Sequence, residues 1–197
     1  MSAIAFGHDG SFSWEDLAAR YQAELANGFG NLASRVLAMN AKYFEGLVPE
    51  PGAEQPADAV IRELAASVAA RADERIEAFA IHEAIAAVWE LVDALNGYIT
   101  EQEPWALAKD PEQRERLATV LYTASEGLRA LAVLLSPVIP VATAKLWSAL
   151  GAEETLGALA AQPIREAGTW GRLVPGTAQH SIDVLFPRIE TGSAAGE

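Results

Sequence analysis

The chain has 197 residues, 51% hydrophobic and 21% charged, with a formal net charge of −13. That balance excludes a disordered chain, and the acidity excludes non-specific adhesion to polyphosphate, whose affinity comes mainly from Lys and Arg neutralising phosphates. With no cysteine and only three histidines, His8, His82 and His180, far apart, disulfides, cysteine nucleophiles and the paired ligands of helical metal sites are excluded.

A first helix is predicted from Ser13, a side chain able to cap it, with Asp16 three residues on. Tyr21, Leu25, Phe29, Leu32, Val36, Met39 and Tyr43 then recur at intervals of three and four, the mark of a core-facing stripe. Gly28 and Gly30 interrupt it, each costing about 1 kcal/mol relative to Ala. They predict a bend, or a place where another element packs closely. Pro49, Pro51 and Gly52 form a stop. A second helix is predicted over 56–79. A third covers 80–102, with Ile81, Ile85, Val88, Val92, Leu95 and Ile99 on its apolar face. Pro104 ends it, because the residue before a proline is pushed out of the helical region. Asp110-Pro111-Glu112-Gln113 is a helix start, with a capping Asp and a first-turn Pro. The fourth helix that follows buries Leu117, Leu121, Ala124, Leu128, Leu131 and Leu135. Pro137 and Pro140 break it, and a fifth helix runs over 141–150. Beyond Gly151, Gly, Pro and Thr become frequent. Residues 182–186 read as a short extended segment, and 191–197 as an unstructured tail. The fold class is all-α: an antiparallel bundle of about five helices over 13–150 with a small irregular C-terminal appendage over 151–190.

No uninterrupted apolar run reaches the roughly 18 residues of a membrane span. The N-terminus lacks the basic start and apolar core of a signal peptide. The expectation is a cytoplasmic protein with no membrane partner. The carboxylates of Asp73-Glu74 and Glu153-Glu154 read as surface charge, and GxxxxGK[ST], GxGxxG and GxSxG are all absent. No catalytic and no metal-binding residue is assigned.

One polar group stands out. Asn27, Asn31 and Arg35 fall within an arc of about 80° beside the core stripe. Polar residues there are ordinarily just solvated. Asn, however, is a mediocre helix former, because its side chain competes for backbone hydrogen bonds. Two of them one turn apart, next to two glycines, carry a local cost with no structural return. Amides and a guanidinium on one face can read the edges of nucleic-acid bases. Downstream, Trp105 directly follows the helix-ending Pro104, which sets it on a corner where its flat face can stack on a base. The glycines would then let the nucleic acid, or the Trp105 corner, approach the first helix. Trp89 and Trp147 read as packing residues, and Trp14 as an N-terminal packing contact. On these residues alone, an RNA reader and a helical protein-interaction module both stand.

Three stretches taken together carry a resemblance. Phe6-Gly-His-Asp-Gly-Ser-Phe-Ser-Trp-Glu-Asp16, Asn27-x-x-x-Asn31-Leu-Ala-Ser-Arg35 and Asn96-x-Tyr98-x-x-x-x-x-Pro104-Trp105 resemble the C-terminal anticodon-binding domain of bacterial methionyl-tRNA synthetases. The likeness runs on through Phe186-Pro-Arg-Ile189. It implies a helix bundle that reads the CAU anticodon of methionine tRNA. Trp105 would stack on the wobble cytosine, and Asn31 and Arg35 would hydrogen-bond exposed anticodon bases, with Asn27 assisting. Asn96, Tyr98 and Pro104 would shape the platform under Trp105. The nucleotide-binding catalytic body and its signatures are absent from the sequence, so an excised domain is expected, with 1–12 as the lead-in from that body. The implied partners are the methionine tRNA anticodon loop and the catalytic domain, where ATP and Mg would bind. The chain itself is expected to be a monomer, inactive alone and without a cofactor. The appendage is expected to fold back on the bundle or toward the catalytic body. The equivalent domain of a valyl-, isoleucyl- or leucyl-tRNA synthetase is the alternative within the same fold.

Overall fold

The structure is a computed structural model and describes residues 13–189. The predicted lead-in over 1–12 and the tail over 191–197 lie outside the described residues. Helix α1 (Trp14–Arg20) opens at Ser13, whose Oγ accepts the Asp16 N–H at 3.3 Å. The chain then continues as a π-helical stretch, Tyr21–Gly30, and as α2 (Asn31–Phe44). The glycine-rich segment thus changes its hydrogen-bonding pattern while the backbone at Arg20, Gly30 and Asn31 stays right-handed and helical. A π-helical ring spans five residues, so each residue turns the chain through a smaller angle than in an α-helix. The close approach predicted at the glycines is made by an unforeseen partner. A Cβ on Gly30 would lie 3.1 Å from the Phe186 ring and 3.0 Å from the Leu25 carbonyl oxygen. The C-terminal segment, and not the Trp105 corner, fills that space.

Helices α3 (Pro56–Glu77) and α4 (Ile81–Gln102) form an antiparallel pair across a three-residue turn. A single turn, α5 (Pro104–Leu107), leads through a capped 3₁₀ turn at Pro111–Gln113 into α6 (Arg114–Leu135). There Asp110 Oδ1 accepts the Glu112 N–H at 3.0 Å. Helices α7 (Pro140–Ala149) and α8 (Ala152–Leu156) complete the set. Packed against α2, α3, α4 and α7, α6 is buried continuously from Leu117 to Leu135. By length and hydropathy it is the one described helix that could cross a membrane, yet its apolar stretch is buried inside the protein. Burial on every side suits a helix with neighbours on every side, and its buried polar residues, Glu126 and Arg129 among them, need partners there.

The residues after Gly151 lie on this bundle. Glu126 and Arg129 on α6, both fully buried, pair at 2.9 Å. Arg129 also donates to the carbonyl oxygens of Ala167 (3.0 Å) and Thr169 (2.7 Å), while Glu126 accepts the Leu173 N–H. The Tyr122 hydroxyl donates to the Leu173 carbonyl at 3.0 Å. The Asn40 amide, buried in α2, donates to Ser125 Oγ at 2.9 Å and to Gln179 Oε1 at 2.7 Å. Gly168 runs so near α3 that a Cβ there would sit 2.6 Å from the Ala66 Cα. Among the described residues there is no strand, only an isolated antiparallel bridge between Leu47 and Ala178. The extended segment predicted at 182–186 is an irregular stretch. No strand lies beside it, and Leu185 and Phe186 pack on the helical core instead.

Trp147 is buried, its Nε1–H donating to the Gly157 carbonyl at 2.9 Å, and Trp89 and Trp170 pack half-buried on the core. Trp14 opens α1 and is 75% exposed.

Candidate nucleic-acid interface

The corner that carries Trp105 is built by a backbone reversal and a buried polar network. Glu103, between α4 and Pro104, takes a left-handed conformation with φ 45 and ψ 56. The proline disfavours the right-handed helical alternative at that position, and a left-handed non-glycine residue persists only where its surroundings fix it. Pro104 is buried and anchors the turn. Trp105, the next residue, projects with 38% of its surface exposed.

Behind the corner, Arg116 on α6 donates to both carboxylate oxygens of Asp58, Nη2 at 2.9 Å from Oδ1, and to Gln102 Oε1 at 2.6 Å. Gln102 is the last residue of α4, so this arginine ties the helix end to α3. The Tyr98 hydroxyl donates to the same carboxylate. Burial pushes the Asp58 carboxyl up. Hydrogen bonds from Arg116, Tyr98 and the Gln55 N–H, with the guanidinium charge, outweigh burial and hold it below the usual carboxylate range. Burial first, and Asp58 second, push the Tyr98 phenol far above its ordinary value. The network therefore keeps a carboxylate, a guanidinium and a neutral phenol through the neutral range. Tyr98 itself is 4% exposed, its hydroxyl turned to Asp58 in the interior. Asn96, half-buried, bonds back to the Val92 carbonyl at 3.0 Å.

The polar stripe meets this corner. The Arg35 guanidinium lies over the Trp105 indole, Cζ 5.9 Å from the ring centroid, within cation–π range. Asn31 and Asn27 follow one and two turns back along the same rod, and both are exposed. Among the described residues neither amide has a hydrogen-bond partner. The structure thus brings Arg35 and Trp105, 70 residues apart in sequence, into contact, with two open amides in line behind them. Pro104 directly precedes the indole, and Asn96 and Tyr98 sit in the last two turns of α4 that lead to it. Sequence reading missed Asp58, Arg116 and Gln102, which fix the corner. The Asp58 signal was visible only as a first-turn carboxylate three residues after Gln55, a capping box that the structure does contain.

Among the described residues no group of three His, Asp or Glu side chains is placed to hold a metal ion. A guanidinium over a partly exposed indole, beside open amides, can instead stack a planar base on the open indole surface and hydrogen-bond its edge.

The family model of the anticodon-binding domain of tRNA ligase matches residues 58–185, a span that includes Trp105 but begins after the stripe. Full-length relatives cover both. The methionine–tRNA ligase of Streptomyces coelicolor is 54% identical over 99% of this chain and 37% of its own length. That of Mycobacterium tuberculosis is 36% identical over 96% of this chain and 36% of its own. The chain therefore spans little more than a third of these relatives. The crystal structure of the free Mycobacterium tuberculosis methionyl-tRNA synthetase superposes with a TM-score of 0.85 at 36% identity, over 95% of this chain and 37% of that one. Its complex with methionyl-adenylate gives 0.82 at 35% identity, over 94% and 35%. Matched over most of its sequence and nearly all of its backbone, the chain belongs to the anticodon-binding domains of tRNA ligases, and among them to those of methionyl-tRNA synthetases.

Proposed function

We propose that the chain selects methionine tRNA by reading its CAU anticodon, with Trp105 as the stacking platform and Arg35, Asn31 and Asn27 as readers of base edges. The observation that carries this reading is the meeting of Arg35 with Trp105. A base laid on the open part of the indole has its edge within reach of the guanidinium, which offers paired donors in a fixed fork. Asn31 and Asn27 can each offer a donor and an acceptor to the next positions. Anticodon bases are unpaired in the loop and can be splayed onto such a surface. The relatives named above are methionine–tRNA ligases, which favours methionine over valine, isoleucine or leucine as the cognate amino acid. Attachment of methionine would fall to a separate catalytic domain, where ATP and Mg act. In this role the chain works as a monomer in the cytoplasm and supplies no catalytic group.

Binding of anticodon stem-loops tests the reading. Trp105→Ala is expected to weaken a CAU stem-loop by about 1–3 kcal/mol through lost stacking. Arg35→Ala should cost a similar amount, about 1–3 kcal/mol, if its contact is to a base edge. A stem-loop with another anticodon should lose much less. Equal losses on both RNAs would sink the readout role.

A further inference from the structure

The residues Phe186-Pro187-Arg188-Ile189 close the described chain and serve none of the contacts described for the Trp105 corner. They cross the π-helical stretch as a strap and are pinned at each step. The Phe186 ring fills the space over Gly30 and meets the Tyr21 ring edge-on, centroids 6.1 Å apart. The Tyr21 hydroxyl donates to the Pro187 carbonyl at 2.9 Å, and the Ile189 N–H donates to Gln22 Oε1 at 3.3 Å. The residues on both sides of Arg188 are thus tied to the rod, while Arg188 itself is exposed.

Between strap and rod lies an open cleft of about 310 Å³. Asn27, Asn31 and Ser34 line one wall, and Leu185, Phe186 and Arg188 the other. It is therefore continuous with the amide stripe. In a chain with 27 acidic residues, Arg20, Arg62, Arg71, Arg75, Arg116 and Arg129 all have carboxylate partners. Among the described residues Arg35, Arg114, Arg165, Arg172 and Arg188 have none, and of these only Arg188 lines the cleft.

We propose that the strap is part of the RNA interface, and that Arg188 supplies the cation for a backbone phosphate of the nucleotide seated beside Asn27 and Asn31. The inference rests on the anticodon reading and extends it. The amides read bases, and the strap holds the backbone that presents them. Phosphate contacts position a nucleic acid without reading its sequence. Arg188 therefore contributes affinity and register, and the choice of CAU stays with Trp105, Arg35 and the amides. The sequence of the strap suits this division. Phe186 and Pro187 fix its course and leave the charge free.

The test uses the 197-residue chain, stem-loops with CAU and with a different anticodon, and a salt titration. Arg188→Gln is expected to weaken both stem-loops alike, by roughly three- to ten-fold, and to lower the slope of log affinity against log salt by about one. Arg188→Lys, which keeps the point charge, should retain most of the slope. The side chain is exposed, so circular dichroism should report unchanged folding for both variants. If Arg188→Gln leaves affinity and slope unchanged while Trp105→Ala still selectively weakens the CAU stem-loop, the strap proposal falls and the anticodon reading stands. A loss confined to the CAU stem-loop would make Arg188 a base reader and also overturn the proposal. If the unaltered chain binds neither stem-loop, or binds both equally with no effect of Trp105→Ala, both readings fall.

Discussion

Replacing Asp58 by Asn would leave the Arg116 guanidinium, only 10% exposed, facing an amide in place of a carboxylate. Breaking a buried pair in this way costs roughly 3–5 kcal/mol, because one charge is left uncompensated. Asp58→Asn should therefore lower the denaturation midpoint. It should also loosen α4 at Gln102 and disturb the Trp105 corner. The pH dependence has a definite sign. The carboxyl is held below its usual value in the folded chain, so its contribution is fully present above the ordinary carboxyl range. It is lost as the pH falls through and below that range. Denaturant titrations from neutral to acidic pH should show stability falling with acidification, and Asp58→Asn should flatten that fall. An unchanged acid limb would remove Asp58 as its source. Half of this residue's role was legible in sequence. A carboxylate three residues after a helix start signals a cap, but nothing local in the sequence points 58 residues ahead to Arg116.

Helix limits were far more legible, because caps, prolines and apolar periodicity are local signals. The second, third and fifth predicted helices match α3, α4 and α7 to within a residue or two. The π-helical stretch had no such signal. Gly28 and Gly30 marked the place, and the ring that uses the missing Cβ at Gly30 lay 156 residues later, in Phe186. Gly168 repeats the lesson where the appendage crosses α3. A methyl there would press on Ala66 Cα at 2.6 Å and the Ala65 carbonyl oxygen at 2.8 Å. Both are backbone atoms with little freedom to yield. Gly168→Ala is expected to destabilise by about 1–3 kcal/mol, as overpacking does. Hydrogen exchange in residues 165–175 should speed up more than in α6. Uniform exchange, or no change, would mean that the appendage can shift without loss.

At the scale of the molecule, the net charge of −13 and a cationic site are reconciled by distribution. Six of the eleven arginines pair with carboxylates, and of the other five only Arg35, on the indole, and Arg188, at the strap, border the amide stripe. Few phosphates can then be neutralised at once. Log affinity for an anticodon stem-loop should fall with log salt at a slope of magnitude about 1–3, far from the value near 10 of proteins that bind along a basic face. A steep slope measured by fluorescence anisotropy would call for a cationic surface outside the described residues. Composition made this restraint visible from the start, but it could not show which arginines stay unpaired.

The buried pair on α6 adds a consequence in time. Glu126 and Arg129 lie in the innermost helix, yet the backbone groups they bond beyond each other, at Ala167, Thr169 and Leu173, are 38 to 47 residues further along the chain. A chain emerging from the ribosome presents its N-terminal helices first. Until residue 173 has been made, α6 carries two charges whose proper seat does not yet exist, so the nascent helices have reason to stay loosely associated. Closure of the bundle is thereby coupled to near-completion of the domain. A translation product that stops at the end of α7 would be released with its centre unsealed.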